Sequence, residues 1–268
     1  MIWARSELDN PVAVDAADVA RFADQGFVRL KNVLSEETID HYEPEISRKV
    51  IELNTMHLPL EERSTYDRAF LQVENLWRHS DVVGELVFSR RLAQIARDLL
   101  GVEAVRLYHD QALYKEPGGG ITPWHADEYY WPLSSDRVCT VWIPLQPTPL
   151  DMGPLEFAAG SQHFEFGRDL AISDESELKL QEELAGQNFE VVSGAYEIGE
   201  VSYHLGWTFH HAQPNRSHHA RRVMTVIYMD AEITVTEPTN DFQRADLEHW
   251  MPGTAVGGVP RSALNPVL

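Results

Sequence analysis

The feature that most constrains the fold is a change in sequence character after Gly101. Five segments beyond this residue are short and rich in β-branched and aromatic residues: VEAVRLYHDQALYKEPGGG, RVCTVWIPLQP, GPLEFAAGSQH, FEVVSGAYEIGEVSYHLG and RRVMTVIYMDAEI. Proline and glycine turns separate them, which is typical of strands joined by loops. We therefore expect a mainly β core over about residues 102–235, folded as a sandwich or a barrel.

Helices are expected to precede this core, in a part covering about residues 1–101, and to pack outside it. Residues 15–25 have apolar side chains at helical spacing, and Ser35 is placed to cap a second helix. Residues 80–101 are predicted to be helical, in one piece or two, with an end at Gly101. GFVRLKNVL is predicted to be a strand, an acidic helix is expected in DESELKLQEEL, and the proline-rich tail is expected to wrap the surface. Because no convincing linker appears, the whole chain, 1–268, is interpreted as one domain.

A strongly acidic balance limits the partners of the chain. Its formal net charge of -20 at pH 7 argues against nucleic acids, anionic membranes and acyl-CoA substrates, which need clustered Lys and Arg. A small-molecule substrate is expected instead. The one cysteine, Cys139, lies in an apolar segment and is interpreted as a buried hydrophobe, so neither a disulfide nor a cysteine metal site is expected. No signal peptide or membrane-spanning run is recognised, so a cytoplasmic location is expected.

Two His-x-Asp triplets occur, and their contexts differ. His79-x-Asp81 opens a predicted helix, where Ser80 or Asp81 would serve as the N-cap, and this local role accounts for the pair. His125-x-Asp127 follows a glycine-rich loop at the edge of a predicted strand. Residues two apart on a strand project from the same face, so this imidazole and this carboxylate could bind one metal ion.

A third ligand is expected in GWTFHHAQPNRSHHARRVMTVIYMD, which holds four histidines and is predicted to form a hairpin. A hairpin would place an early histidine beside a late arginine. Two histidines and one carboxylate on one side of an ion leave open positions, as in non-haem Fe(II) oxygenases. Zinc hydrolases can share these ligands but need a separate general base. The arginine favours the oxygenase, since a guanidinium near the metal can bind the carboxylate of a 2-oxo acid with two hydrogen bonds.

Three segments resemble the phytanoyl-CoA dioxygenase (PhyH) family of Fe(II)- and 2-oxoglutarate-dependent oxygenases: YKEPGGGITPWHADEYYWPL, VWIPLQPTPLDMGPLEFAAGSQH and FHHAQPNRSHHARR. The resemblance extends over most of the chain, from DQGFVRLKNVLSEE to the C-terminal tail. It implies a double-stranded β-helix (jelly-roll, cupin-like) core with flanking helices, and it implies Fe(II), 2-oxoglutarate and O2 as metal and cosubstrates. It also implies a His-x-Asp…His triad and an arginine that binds the distal carboxylate of 2-oxoglutarate.

The family spacing selects among the neighbouring histidines. Asn215 lies five residues after His210 and four after His211, and the first of these spacings matches the family. Arg221 lies eleven residues after His210, as in the family, but Arg222 lies eleven after His211, so Asn215 alone decides between the two histidines. The resemblance thus implies His125, Asp127 and His210 as metal ligands and Arg221 as the cosubstrate residue, and these four as the catalytic set.

Further site residues are expected from the same comparison and from the aromatic content of the loops. Matching LYHDQALYK and VCTVW to the family places Gln111 and Trp142 beside 2-oxoglutarate, although Trp142 could equally be a core aromatic. Substrate contacts are expected from Asn75, Trp77, Tyr129, Tyr130 and Trp131, with strand-edge packing as the alternative. The remaining histidines of the distal region, His204, His218 and His219, are expected near the surface.

The expected activity is oxidation, most simply hydroxylation, of a small apolar or aromatic specialised metabolite, with conversion of 2-oxoglutarate to succinate. Epimerisation, desaturation and oxidative cyclisation use the same kind of site and are the alternatives. Halogenation is not expected, because halogenases of this kind replace the carboxylate that Asp127 retains. A cupin-like binding protein without enzymatic activity is a more distant alternative, since structural metal sites normally close all four positions.

Overall fold

The computed structural model describes residues 2–268, with side chains from Ala4 onward. The helices in this range are α1 (Ile2–Asp9), α2 (Ala16–Gln25), α3 (Glu36–Leu53), α4 (Thr65–Ala69), α5 (Asp81–Val87), α6 (Arg90–Leu100), α7 (Asp174–Gly186) and α8 (Asp241–Trp250). The strands are β1 (Phe27–Leu30), β2 (Leu71–Glu74), β3 (Val105–Tyr114), β4 (Thr122–His125), β5 (Val138–Pro144), β6 (Leu155–Ala158), β7 (Val191–Val192), β8 (Val201–Leu205), β9 (His210–Ala212) and β10 (Val223–Asp230). None of the helices within residues 2–268 combines the length and the apolar composition that crossing a membrane requires.

Two antiparallel sheets form the core. The larger has six strands in the order β1-β8-β5-β10-β3-β2, and the smaller has four in the order β4-β9-β6-β7. Their inner faces meet in an apolar cluster in which Phe27 and Trp142 of the larger sheet pack with Leu155 and Phe157 of the smaller. This is the double-stranded β-helix that the family resemblance implied.

The six-stranded sheet owes its two different faces to the two-residue alternation of its strands. In β5, Val141 and Ile143 belong to a cluster shared with the helices, whereas Thr140 and Trp142 line the interior. Helices α2, α3, α5 and α6 contribute to that outer cluster and cover this face of the sheet. Helices therefore cover the outer face of the larger sheet, and part of its inner face borders a cavity between the two sheets.

The helix boundaries follow the predicted capping signals. The hydroxyl of Ser35 accepts a hydrogen bond from the backbone N–H of Thr38 at the start of α3, as predicted. Ser80 caps α5, which confirms the local role of the first His-x-Asp triplet. Gly101 ends α6 with φ 65°, a left-handed conformation that favours glycine. Residues 80–101 thus form two helices.

One expectation about a strand is confirmed, and one about connectivity is wrong. Strand β1 lies within the predicted strand GFVRLKNVL and pairs with β8, while β2, which was not predicted, pairs with β3. Strands β9 and β10 do not form a hairpin, since β9 belongs to the smaller sheet and β10 to the larger. A jelly roll requires the chain to cross between its sheets at this point, and the loop after β9 makes that crossing.

The C-terminal tail is more closely integrated than a surface wrap. Helix α8 was not predicted, and it lies against the turn at Asp127–Tyr130, where Gln243 donates a hydrogen bond to the carbonyl of Tyr129. The last residues return to β3, and Val267 forms a bridge with Arg106. Asn265 is fully buried, and its amide donates to the carbonyl of Leu107.

Candidate metal centre and adjoining cavity

Strand pairing in the smaller sheet brings the predicted ligands together. His125 ends β4 and lies directly opposite His210 of β9, with ring centroids 4.2 Å apart. Asp127 follows two residues later, and its Oδ1 lies 3.6 Å from Nε2 of His125 and 3.8 Å from Nε2 of His210. One ligand atom from each of the three residues falls within 4.8 Å of the others.

Backbone carbonyls set the orientation of both histidines. Nδ1 of His125 donates to the carbonyl of Pro123 (2.7 Å), and Nδ1 of His210 donates to that of Thr208 (3.0 Å). Each ring therefore presents the lone pair of Nε2 toward Asp127. Burial, reinforced by the neighbouring imidazoles of His125 and His204, lowers the pKa of His210 well below its ordinary value. A neutral, oriented imidazole is the form that binds a metal, so this donor set fits a divalent transition metal.

The carboxylate of Asp127 is held from the opposite side by the larger sheet. Thr140 and His204 are directly paired on β5 and β8. The Thr140 hydroxyl donates to Oδ2 of Asp127 at 3.2 Å, and Nε2 of His204 lies 3.3 Å from the same oxygen. Burial raises the pKa of the Asp127 carboxyl, but the surrounding imidazoles of His210, His125 and His204 outweigh burial and hold that pKa well below its usual range. The carboxylate is thus ionised, with Oδ1 directed toward the histidines.

His204 is the residue that sequence reasoning misplaced. It was expected near the surface, yet it is 1% exposed and lines the cavity between the sheets. The alternation of VSYHL in β8 explains this position: Val201 and Tyr203 join the cluster beneath the helices, and Ser202 and His204 therefore face the interior. That alternation was visible in the sequence, but it would have identified His204 only if the helix-covered face of the strand had been known. His218 and His219 are exposed, as expected.

The neighbouring His211 faces away from the cluster. It lies directly opposite Glu156 of β6, and its Nε2 lies 2.8 Å from a carboxylate oxygen of that residue. Its ring stacks on Trp124 at 3.9 Å between centroids. Adjacent residues of a strand project to opposite faces, so only one of the two histidines can reach the cavity, and it is His210.

Arg221 and Arg222 are separated in the same way. Arg221 is 1% exposed, lines the cavity, and donates from Nη1 to the carbonyl of Gly153. Burial lowers its pKa to about 10, so the guanidinium stays charged at neutral pH. The side chain of Arg222 projects from the opposite side of the chain, away from the cavity, and forms an ion pair with Glu43 of α3.

The crossing loop before Arg221 is held by Asn215, the residue that set the predicted register. Asn215 is 1% exposed, and its amide donates to the carbonyls of Lys115 (2.9 Å) and His219 (2.7 Å). The backbones of Lys115 and Arg221 then bond to each other in both directions. This anchoring explains why the spacing from His210 to Asn215 to Arg221 carries information about the site.

Unpaired donors mark the place where an anion fits. Nε of Arg221 and Nε1 of Trp142 are buried and have no hydrogen-bond partner within the described residues. The guanidinium carbon lies 5.5 Å from the centre of the Trp142 ring. Buried donors normally have acceptors, so a carboxylate bound here would complete both groups. Gln111 also lines the cavity, and its Oε1 accepts a 2.6 Å hydrogen bond from Gln72.

A single cavity of about 440 Å³ joins the metal-binding atoms to Arg221. Its aromatic wall consists of Tyr66, Phe70, Tyr130, Trp131, Trp142 and Phe242. Two of the predicted substrate aromatics, Tyr130 and Trp131, are therefore at the cavity.

Asn75, Trp77 and Tyr129 lie elsewhere, which corrects the expectation that they line the substrate cavity. The indole of Trp77 donates to Asn75 Oδ1 at 3.0 Å and packs against Phe88, beneath the helices. Tyr129 is held through its carbonyl by helix α8. Tyr66, Phe70 and Phe242, which do line the cavity, come from α4, the residue after it, and α8, where local sequence offered no signal.

A jelly roll whose sheets enclose a His-x-Asp…His cluster and a buried arginine defines a class of protein, the Fe(II)- and 2-oxoglutarate-dependent dioxygenases. The chain belongs to the phytanoyl-CoA dioxygenase (PhyH) family, whose sequence model matches residues 22–223. It is accordingly an enzyme that uses iron, 2-oxoglutarate and O2, and the resemblance found in the sequence is confirmed.

Relatives of 22–25% identity align with most of the chain. The probable alpha-ketoglutarate-dependent hypophosphite dioxygenase of Stutzerimonas stutzeri is 25% identical over 228 residues, which cover 79% of this chain and 77% of the relative. The alpha-ketoglutarate-dependent carbocyclase SnoK from nogalamycin biosynthesis superposes with a TM-score of 0.77 at 22% identity, covering 97% of this chain and 99% of that one. The epimerase SnoN from the same biosynthesis gives 0.75 at 22% identity, covering 94% and 97%. These solved structures share the fold.

Proposed function

We propose that His125, Asp127 and His210 bind Fe(II) and that the enzyme oxidises a small organic molecule held in the adjoining cavity. The observation that carries the proposal is the convergence of two imidazole nitrogens and one carboxylate oxygen within 4.8 Å in the cavity wall. Three ligands of this kind leave other positions of an ion open. When bound, the iron and 2-oxoglutarate supply the oxidising chemistry, with succinate and carbon dioxide as products.

The protein's own contribution at this centre is to hold the ligands in place. The carbonyls of Pro123 and Thr208 fix the two imidazole rings, and Thr140 and His204 fix the carboxylate. Hydrogen bonds of this kind set the tautomer and direction of each donor before any ion arrives. Losing one of them should weaken metal binding without removing a ligand.

We assign the distal carboxylate of 2-oxoglutarate to Arg221. Its guanidinium is charged and buried, and its Nε and the indole Nε1 of Trp142 are unpaired donors among the described residues. A planar guanidinium can donate two parallel hydrogen bonds to a carboxylate, which fixes the direction of the bound acid as well as its charge. Gln111 completes the polar lining, since Gln72 occupies its carbonyl oxygen and leaves its amide nitrogen to face the cavity.

The wall of the cavity favours a small metabolite that is largely apolar or aromatic. Aromatic side chains enclose the space beyond the metal-binding atoms and would exclude water from the reacting carbon. A small inorganic anion such as hypophosphite fits poorly, because Glu74 and Asp246 place negative charge in the same cavity. SnoK and SnoN, which share the fold, belong to the biosynthesis of a natural product and support a specialised metabolite as substrate. Hydroxylation is the reaction we propose.

The test has two readouts on the full chain. Succinate formation from 2-oxoglutarate with Fe(II) and O2 should require all three components. Mass analysis of a turned-over substrate then assigns the reaction: gain of one oxygen atom indicates hydroxylation, loss of two hydrogen atoms desaturation or cyclisation, and an unchanged mass with an inverted centre epimerisation. Folded, iron-loaded protein that forms no succinate under these conditions would favour a binding protein and refute the proposal.

A further inference from the structure

The cavity continues from the cosubstrate residues to the far edge of the larger sheet. Four residues face it in one row across adjacent strands: Trp142 pairs with Thr225, Thr225 with Gln111, and Gln111 with Glu74. Neighbouring strands lie about 4.8 Å apart, so three steps separate Glu74 from Trp142 by roughly 14 Å. The cavity thus has a second end, at Glu74, remote from Arg221.

This second end carries two carboxylates without a cationic partner. Glu74 and Asp246 both line the cavity. Asp246 accepts a 2.7 Å hydrogen bond from the Tyr108 hydroxyl, and Glu74 accepts only a long one, 3.4 Å, from Gln72. Across residues 4–268, neither carboxylate forms an ion pair with lysine or arginine. No lysine or arginine of these residues therefore neutralises either carboxylate.

The pKa shifts of Glu74 and Asp246 are those expected for two carboxyls buried near each other. Burial raises the pKa of Glu74, and burial together with the charge of Glu74 raises that of Asp246 to about 7. The exposed His249 of α8 acts in the opposite direction on both. A bound cation would restore the ionised form of each group.

A buried imidazole in the same cavity has one ring nitrogen without a hydrogen-bond partner among the described residues. His109 is 4% exposed and faces the cavity two residues before Gln111 on β3. Its Nδ1 lies 3.3 Å from the carbonyl of Asp110, and its Nε2 has no hydrogen-bond partner in the described part of the chain. Burial lowers the pKa of His109 to about 4, so its ring is neutral and cannot balance the carboxylates. It is instead available to a ligand.

Aromatic rings complete the lining of the cavity. Tyr66 and Phe70 meet edge to face at 5.5 Å between centroids, and Tyr130 and Phe242 do so at 5.3 Å. All four line the cavity, and the faces of such rings attract organic cations. A metal ion is a poorer occupant, because among the described residues Glu74 and Asp246 belong to no group of three metal-binding side chains.

We propose that the substrate carries a protonated amine, which Glu74 and Asp246 bind at the far end of the cavity. This inference rests on the proposed function, since it places the amine relative to the carbon that reacts beside Asp127. Thr140, which contacts Asp127, and Glu74 lie on β5 and β2, three strands apart. Three strand spacings are roughly 14 Å, which is an upper bound on the separation of the amine from the reacting carbon, because both side chains reach into the cavity. Such a substrate is an elongated, ring-containing amine.

Calorimetric titration of the full chain with three matched indoles tests the proposal. Under anaerobic conditions with Fe(II) and 2-oxoglutarate, tryptamine supplies the cation, tryptophol a neutral hydroxyl of similar shape, and indole-3-propionate an anion. Tryptamine should bind at least about tenfold more tightly than tryptophol, the difference expected for hydrogen bonds to a charged group. Glu74→Gln and Asp246→Asn, which keep the side-chain shape, should each reduce this preference.

The controls separate a local site from the overall acidity of the chain. Glu248→Gln changes an exposed carboxylate on α8 and should keep the preference. Equal loss in Glu248→Gln would attribute the effect to the net charge of -20 and overturn the proposal. Absence of tryptamine binding, equal binding of tryptophol, or an unchanged preference in both cavity variants would overturn it as well. Succinate formation by the unaltered protein tests the iron and 2-oxoglutarate site separately, so the two proposals can fail independently.

Discussion

Replacement of Arg221 by lysine would test the cosubstrate pocket directly, because it keeps the positive charge and removes the planar pair of donors. Arg221 is 1% exposed, so water cannot substitute for a lost donor. A lysine ammonium could still donate to the carbonyl of Gly153 or to the carboxylate, but it could not offer two parallel hydrogen bonds to one acid. We therefore expect weaker 2-oxoglutarate binding in a folded, charged pocket.

The magnitude follows from the contacts that Arg221→Lys would remove. Loss of one hydrogen bond to a charged group costs about 1.5–3 kcal/mol. Loss of the guanidinium from its position 5.5 Å from the Trp142 ring adds about 0.5–1 kcal/mol. The total of about 2–4 kcal/mol corresponds to roughly a 30- to 1000-fold rise in KM for 2-oxoglutarate. Because the contact is to a distal carboxylate, kcat should change less than KM.

The assay is the initial rate of succinate formation as a function of 2-oxoglutarate concentration, with Fe(II) saturating and the Tm measured in parallel. Arg222→Lys is the matched control, since Arg222 leaves by the opposite face toward Glu43 and should change KM little. An unchanged KM in Arg221→Lys, or a larger rise in Arg222→Lys, would refute the assignment. The ligand role of His210 would then need revision, because it depends on the same spacing.

Three further predictions concern the metal ligands and the buried carboxyls. His210→Ala should weaken Fe(II) binding by more than the roughly 10- to 100-fold that loss of a supporting hydrogen bond costs. His211→Ala should leave Fe(II) binding unchanged. Iron titration that shows the reverse order would exchange the roles of the two histidines. Asp127→Ala should abolish succinate formation and Asp81→Ala should retain it, so equal losses at equal folded yield would contradict the site. Burial raises the pKa of Asp110 to about 7, whereas an aspartate in the unfolded chain releases its proton near pH 4. The native state therefore holds this proton more tightly, and the free energy of unfolding falls as the pH rises from about 4 to about 7. Asp110→Asn should flatten that fall in Tm, and an unchanged slope would show that another group causes it.

Local sequence was sufficient to predict those structural features whose physical cause acts over a few residues. The caps at Ser35 and Ser80 and the stop at Gly101 follow from hydrogen bonds and backbone angles within one helical turn. The shared face of His125 and Asp127 was likewise expected from spacing alone. The choice of His210 came from family spacing, and the structure supplies its cause in the hydrogen bonds of Asn215.

Alternation within strands carried information that the sequence reasoning used only in part. In the structure it places Arg221 and Arg222 on opposite faces. It would have predicted an inward-facing His204 had the apolar positions Val201 and Tyr203 been assigned to the helix-covered face. A period of two tells which residues share a face, but a strand considered alone does not show which face is buried against helices. His204 was misplaced for this reason.

What the sequence by itself determined was the class of fold, its principal elements and the residue types of the metal site. Only the tertiary structure decided which distant segments meet. Strands β1 and β2 joined the larger sheet, β9 and β10 separated into different sheets, and Glu74 came to share a cavity with Asp246 of α8. Glu74 and Asp246 lie in sequence surroundings like those of many exposed acids in this chain. Their burial in one cavity depends on packing between elements far apart in the chain. Short-range propensities depend only on neighbouring residues and therefore do not predict that packing.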